Sequence, residues 1–525
     1  MSLGAGDEEG RPVTTRNERA TWFDGGAANV ASGSLLPLIV LSLVAVAAHW
    51  PALQWGYAND DFALLHNGVD SELFVAQGRP VGWLLFRAMG LLGVPLTESA
   101  PAFQFAGNIV LATFAWTVVR LWVPELPVWR SAIAALPIIV HPYQSEIFSY
   151  RSTMLLTTFP LAMAAWFFHE CRVPSSRWRR LAATGGLVIA IATYQAIVNY
   201  IGYVLLLYAA TIAATSGLPW RDRDHWRKWT RVVALAALAA VVYLVGLKML
   251  WSLVPHAVDE RFDLRALPAV SVRMVQMARW GYTAFFGETT LLSSALKWIA
   301  FAGPLCLLVL ALSRSPERPA AANSSARVLI VTLASFAAAC FLIGGVSALT
   351  PTPWIVPRVL AQAGIVYAWL FVLPLSRLAT GSAARPAVAV LAVISFLLAA
   401  MSVATLSSQL RVNLRDLHLA ARIYERIEAT TGFATANRLV VVGGRWAYGD
   451  PIKNVWGDLN PSAFIAPQSK GNVIVEVSGT RLVASTQIPD LETARGQCAH
   501  SEPWPSPQAV TIIERLVVVC MPTQE

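Results

Sequence analysis

The chain has 525 residues, 56% of them hydrophobic and only 14% charged, with a mean hydropathy of +0.53. That balance excludes an ordinary soluble globular protein and marks an integral membrane protein. The net charge of +9 is spread over short basic clusters between apolar runs, which orient membrane helices and offer no continuous face to nucleic acid.

Residues 1–34 are polar, rich in Gly and Ala, and carry both signs of charge. They lack the short apolar core and cleavage site of a secretory signal, and predict a disordered cytoplasmic tail. A first span over residues 35–54 is followed by an acidic loop. The apolar run 81–94, interrupted by Arg87, is too short to cross a hydrocarbon core of ~30 Å, and predicts an amphipathic helix in the interface. Further spans are expected at residues 103–122, 132–148, 154–169, 181–193, 197–215, 232–253, 293–312, 328–347, 359–378 and 387–406. With the first, that makes about eleven crossings in a membrane domain of residues 35–408. A re-entrant piece between residues 255 and 292 is also compatible with the pattern.

Charge gives the expected orientation. Arg172, Arg177, Arg179 and Arg180, and then Arg221, Arg223, Arg227, Lys228 and Arg231, crowd short connections on one side, which the positive-inside rule makes cytoplasmic. The N-terminus then lies inside and the first acidic loop outside. An odd number of spans puts the C-terminal region outside as well. From residue 409 the composition turns soluble: an amphipathic helix over 410–430, then strand-like runs at 438–442, 473–477, 481–485 and 510–519. This predicts a small α/β domain over 409–525. In an oxidising compartment Cys498 and Cys520, alone in that region, are natural partners. Cys171, Cys306 and Cys340 lie in or beside apolar segments, and none has zinc-ligand spacing.

The residues able to carry chemistry gather on the outer side. Residues 57–68, YANDDFALLHNG, place Asp60 and Asp61 beside a bilayer, and Arg79 follows in GRPVGWLLF. Such acids are costly unless they face water, a partner or a substrate. The plain alternative is a helix capped by Asn59 whose first turn holds both acids. In HPYQSEIFSYRS stand His141, Gln144, Glu146, Tyr150 and Arg151, where Glu146 and Arg151 could simply pair. In TYQAIVNY stand Tyr194, Gln195 and Asn199, with an interfacial belt as the ordinary role of such a tyrosine. Arg358, after Pro357 in TPTPWIVPRVLAQ, could snorkel to headgroups, yet its position runs against the positive-inside trend. Its fork of donors matches phosphate oxygens.

The order of these motifs, NDDF then GRP, SEIFSYR, TYQ, PRVL and RDLHLAARIYERIEA leading into RLVVVGG, resembles that of the type II O-antigen glucosyltransferases. These are serotype-modifying membrane glycosyltransferases of the GT-C class. The resemblance covers roughly residues 35–520. It implies a mainly α, polytopic GT-C-type fold in a bacterial inner membrane, with the small α/β domain extracytoplasmic. It also implies a polyprenyl-phosphate hexose donor, with glucose as the hexose, and a cell-surface glycan acceptor such as O-antigen. Carried across, Asp60 and Asp61 match the acidic pair expected to be catalytic, and Arg79, Glu146, Arg151, Tyr194, Gln195 and Arg358 match later polar positions expected to hold donor phosphate or substrate. One carboxylate would take the acceptor's proton, with inversion at the anomeric carbon, while fixed cations stabilise the leaving phosphate. No cofactor or metal is expected, since the two carboxylates have no further clustered ligands. The rival reading is a transporter or flippase of a lipid-linked saccharide, which would place polar residues through the bilayer centre rather than at one side.

Overall fold

The computed structural model describes residues 35–54, 56–67, 71–215, 223–253, 268–313, 320–378, 384–444, 455–479 and 481–522; the expected tail over 1–34 and much of the first half of 255–292 lie outside them. The fold is mainly helical. Among the described residues six helical stretches are long and apolar enough to cross a membrane: Ala100–Trp122, Ile197–Thr215, Arg223–Leu253, Ser294–Ser313, Pro357–Arg377 and Ala384–Glu428. Their outward faces are oily. On Arg223–Leu253, for example, Val241, Val242, Leu244, Val245 and Met249 are all exposed, an arrangement that lipid stabilises and water penalises. The chain is a multi-pass membrane protein.

Each apolar segment expected from the sequence falls on a helix for most of its length, but 132–148 does not run through. Helix Val128–Val140 stops because His141 precedes Pro142 and is held extended (φ −66°, ψ 130°), as the proline ring requires. The chain then makes a 3-10 turn, Pro142–Gln144, and a short helix, Ser145–Ser149, all of it buried. Residues 81–94 form helix Pro80–Leu91, which buries Gly82 and Phe86 and exposes Leu84 and Leu91. Part of 255–292 forms a further helix, Val270–Phe285.

The longest element is Ala384–Glu428, 45 residues and therefore about 68 Å, more than twice a hydrocarbon core. The expected boundary at residue 408 falls inside it, so one rigid rod joins the apolar bundle to the C-terminal sheet. Beyond its apolar half it presents three polar clamps. Gln409 and Asn413 both donate to the Tyr57 carbonyl (3.0 and 2.8 Å), and the Asn413 side-chain oxygen accepts the Tyr57 N–H. Asp416 accepts from the Ser462 hydroxyl (2.7 Å) and the Ala463 N–H (2.6 Å).

The C-terminal sheet has four strands, β1 Arg438–Val442, β2 Val483–Ala484, β3 Val510–Ile513 and β4 Leu516–Cys520, in the order β2-β1-β4-β3. β1 runs parallel to both β2 and β4, and β3 and β4 are antiparallel. The expected strand 510–519 is thus a hairpin, turned at Glu514 with φ 55°. The expected strand 473–477 is instead part of helix Lys470–Val477. Its β-branched run favours a strand only weakly, and burial of Val473, Ile474 and Val475 against the long helix overrides that preference. Leu439, Val441, Val517 and Val519 face this side, while Val440, Leu516 and Val518 face helix Ile488–Cys498 on the other. A disulfide between Cys498 and Cys520 ties that second helix to β4.

Candidate active site

Helix Asn59–Asn67 begins at the predicted place, with Asp60 and Asp61 in its first turn, but the two acids have opposite surroundings. Asp61 is fully buried. It accepts from the backbone N–H groups of Ala58 (2.8 Å), Arg151 (3.0 Å) and Ser152 (2.8 Å) and from the Ser152 hydroxyl. Adjacent Phe62 is buried in the C-terminal core together with Tyr57, Ile423 and Phe464, so the loop is fastened on two sides. Arg151 belongs to the same knot. Its guanidinium donates to the carbonyls of Gln54 (2.8 Å), Gly56 (3.3 Å) and Thr97 (3.3 Å) and lies 5.7 Å from the Tyr57 ring. The alternative Glu146–Arg151 pairing is therefore absent, and Arg151 takes backbone contacts instead.

Glu146 pairs instead with Arg358. Completely buried, it accepts from the Arg358 backbone N–H (2.6 Å) and from its Nη1. Nη1 also donates to the Tyr150 hydroxyl (2.9 Å), and Nη2 donates to Asp458 (2.8 Å). Burial raises the Glu146 carboxyl above the ordinary range, and the Arg358 guanidinium opposes that rise. Asp458 reaches Arg358 because Gly457, at φ 62°, lies flat against Val356; a Cβ there would come within 2.2 Å of the valine side chain.

Asp60 points to this second cluster. It is partly exposed, and Gln468 donates to it at 3.3 Å. Burial and the nearby Asp458 charge push its carboxyl above the usual value, against Gln468, Arg358 and Arg79. Arg79 is presented by a turn that only glycine fits: Gly78 has φ 70°, and a Cβ on it would meet the Gln195 amide at 2.7 Å and the Tyr243 hydroxyl at 2.8 Å. Gln195 donates to the carbonyls of Gln77 (2.6 Å) and Gly78 (2.7 Å) and accepts from Arg79 Nε (3.2 Å), while Arg79 lies 5.0 Å from the Tyr194 ring.

Of the predicted site residues, Asp60, Arg79, Glu146, Tyr194, Gln195 and Arg358 thus border one electrostatically linked region, whereas Asp61 and Arg151 turn away into backbone contacts. Asn199 and Gln144 also serve packing: Asn199 accepts from Val346 N–H (2.8 Å), and Gln144 accepts from the Tyr200 hydroxyl (3.1 Å). Asp458 and Gln468 are additions the sequence reading missed. Both lie in an unpatterned stretch, and only their long-range contacts distinguish them.

No curated protein matches the chain. A solved structure, the crystal structure of ArnT from Cupriavidus metallidurans in the apo state, is similar at 13% identity and a TM-score of 0.41, over 89% of this chain and 91% of that one. Residues 56–375, which contain Asp60, Asp61, Arg79, Glu146, Arg151, Tyr194, Gln195 and Arg358, match the family model described as glucosyl transferase GtrII. The chain therefore belongs to the GtrII glucosyl transferase family and is a membrane glycosyltransferase.

Proposed function

We propose that the protein transfers a hexose, glucose by family, from a polyprenyl-phosphate donor to a cell-surface glycan on the extracytoplasmic side of the bacterial inner membrane, with inversion. In this reading the bundle is of GT-C type with about eleven crossings, and the N-terminus is cytoplasmic. What supports it is Asp60: a partly exposed carboxylate, raised by burial, next to Arg358 and Arg79 and facing the C-terminal domain. Asp60 takes the proton from the acceptor hydroxyl as that oxygen bonds to the anomeric carbon. The bond from that carbon to the phosphate oxygen breaks, and its electron pair leaves with the lipid phosphate.

Arg358 meets the growing phosphate charge. Glu146 and Tyr150 hold one edge of its guanidinium, so the fork is already oriented before donor arrives. The other edge carries the partly exposed Asp458, whose place a phosphate oxygen takes. Arg79, steadied by Gln195 and Tyr194, supplies a second cation. A crevice of about 450 Å³ reaches Trp456 of the same turn, and its mixed lining, Trp280, Ile355 and Leu360 with Gln276, Arg279 and Thr283, suits the junction of a lipid with its phosphate.

Purified protein given labelled polyprenyl-phosphate glucose and surface glycan should yield glucosylated glycan of inverted anomeric configuration. Passage of intact lipid-linked sugar across the bilayer, without glycan labelling, would establish the transporter reading instead.

A further inference from the structure

A cavity in the C-terminal sheet has no part in the transfer step itself. From β1 the chain crosses through helix Lys470–Val477 to β2 on one side, then through helix Ile488–Cys498 to the β3–β4 hairpin on the other. The two helices cover opposite faces, so β1 is a switch strand. Parallel sheets wired this way take ligands in the crevice outside the carboxyl ends of their strands. A cavity of about 730 Å³ lies along β1 as far as Gly443 and Gly444, within the usual size for a ligand site.

Its chemistry is one-sided. Gln468, Lys470, Asn472, Ser485, Thr486 and Arg495 contribute the polar lining, and among the described residues no carboxylate lines it. Lys470 donates to the Gly443 carbonyl (2.9 Å), which leaves further N–H donors on an ammonium. Burial, then the charge of Arg495, hold that ammonium below its ordinary range. Asn472 is 1% exposed, and its side-chain carbonyl oxygen has no partner, an orphan acceptor suited to a hydroxyl. Gln468 lines this cavity and also donates to Asp60. One side chain therefore separates the crevice from the proposed base.

We propose that this cavity binds the acceptor as an acidic oligosaccharide, with a carboxylate or phosphate on Lys470 and Arg495 and a neighbouring hydroxyl delivered to Asp60. The proposal rests on the transfer reading above for its catalytic half and on the cavity alone for its binding half. Two neighbouring cations, the partly buried Lys470 and the exposed Arg495, with no carboxylate among the described lining residues, are matched by an anion, and sugar hydroxyls satisfy Asn472 and Thr486.

Photo-crosslinking of the full-length protein with diazirine-bearing probes tests the binding half without donor. The probes are a glucuronate oligosaccharide, a phosphorylated hexose oligosaccharide and neutral maltotetraose. Label from at least one acidic probe should map to peptides covering 467–472 and 484–495, and identify which anion is preferred. Arg495→Glu, on an exposed position, and Thr486→Trp, which fills the cavity, should abolish that label at an unchanged melting temperature. Labelling elsewhere, or equal labelling by maltotetraose, overturns the proposal. In transfer assays Arg495→Glu should raise the acceptor KM on the order of tenfold or more at unchanged kcat, the scale of one lost charged hydrogen bond. Transfer with unchanged acceptor KM removes the cavity and spares the enzyme; mapped label without any transfer does the reverse.

Discussion

Asp61 with Arg151 and Asp60 with Arg358 are two charged clusters that start from adjacent residues of one helix, and they differ in what satisfies them. Around Asp61 the donors are three backbone N–H groups and a hydroxyl, and around Arg151 the acceptors are three backbone carbonyls. Around Arg358 and Asp60 most partners are side chains, and two of them, Asp458 and Gln468, come from the C-terminal region. A backbone partner cannot leave without moving the chain, whereas a side-chain partner can rotate away for a substrate. The first cluster is architecture, and the second can exchange its contacts.

The adjacent aspartates give the sharpest way to break that comparison. Asp60→Asn should lower transfer by about 10²–10⁴-fold, the usual cost of losing a general base, with an unchanged melting temperature. Asp61→Asn should act on the fold instead. An amide cannot accept all four donors, and each buried donor left unpaired costs about 1–3 kcal/mol, so its melting temperature in detergent should fall. Equal melting temperatures with equal activities would dissolve the distinction between the clusters.

The two arginines repeat the contrast at smaller scale. Arg358→Lys keeps a charge but loses the planar fork that Glu146, Tyr150 and a phosphate share. The donor KM should rise on the order of tenfold or more, from about 1.5–3 kcal/mol for a hydrogen bond to a charged group. Arg151→Lys should leave donor KM alone and lower stability, because it gives up contacts to three carbonyls. A donor KM that rises only in Arg151→Lys would exchange their roles.

How much of this was legible in the sequence follows from the range of each interaction. The apolar segments are local, and they appear as helices with shifted ends. The charges expected at the outer face also stood out, because a membrane chain has so few. Their pairing did not: Glu146 is five residues from Arg151 yet bonds to Arg358, 212 positions away. Pro142 was a local stop signal inside the expected span over 132–148, but nothing local could show that the turn after it would point Glu146 at Arg358. Residues 473–477 were misread for the related reason that a β-branched run buried on the long helix looks the same as a strand. Asp458 and Gln468 had no signal, since polar residues in an irregular stretch are the commonest kind of solvated loop.

The smallest expected effect is on pH, and it ties the C-terminal region to the base. A base must be deprotonated to act, so kcat/KM falls as the pH drops through the pKa of Asp60. Burial, followed by the Asp458 charge, raises that pKa, which places the acid limb above the ordinary carboxylate value of 3.8. Gln468 works in the opposite direction, because its N–H stabilises the ionised form. Gln468→Leu removes that donor without adding charge, so the acid limb should move to still higher pH. Asp458→Asn removes the opposing negative charge and should move it lower. Profiles of kcat/KM for the two variants, recorded with saturating donor, should bracket the parent protein. If both limbs stay where the parent's lies, the titrating group is not Asp60, and the partly exposed carboxylate beside Arg358 serves binding alone.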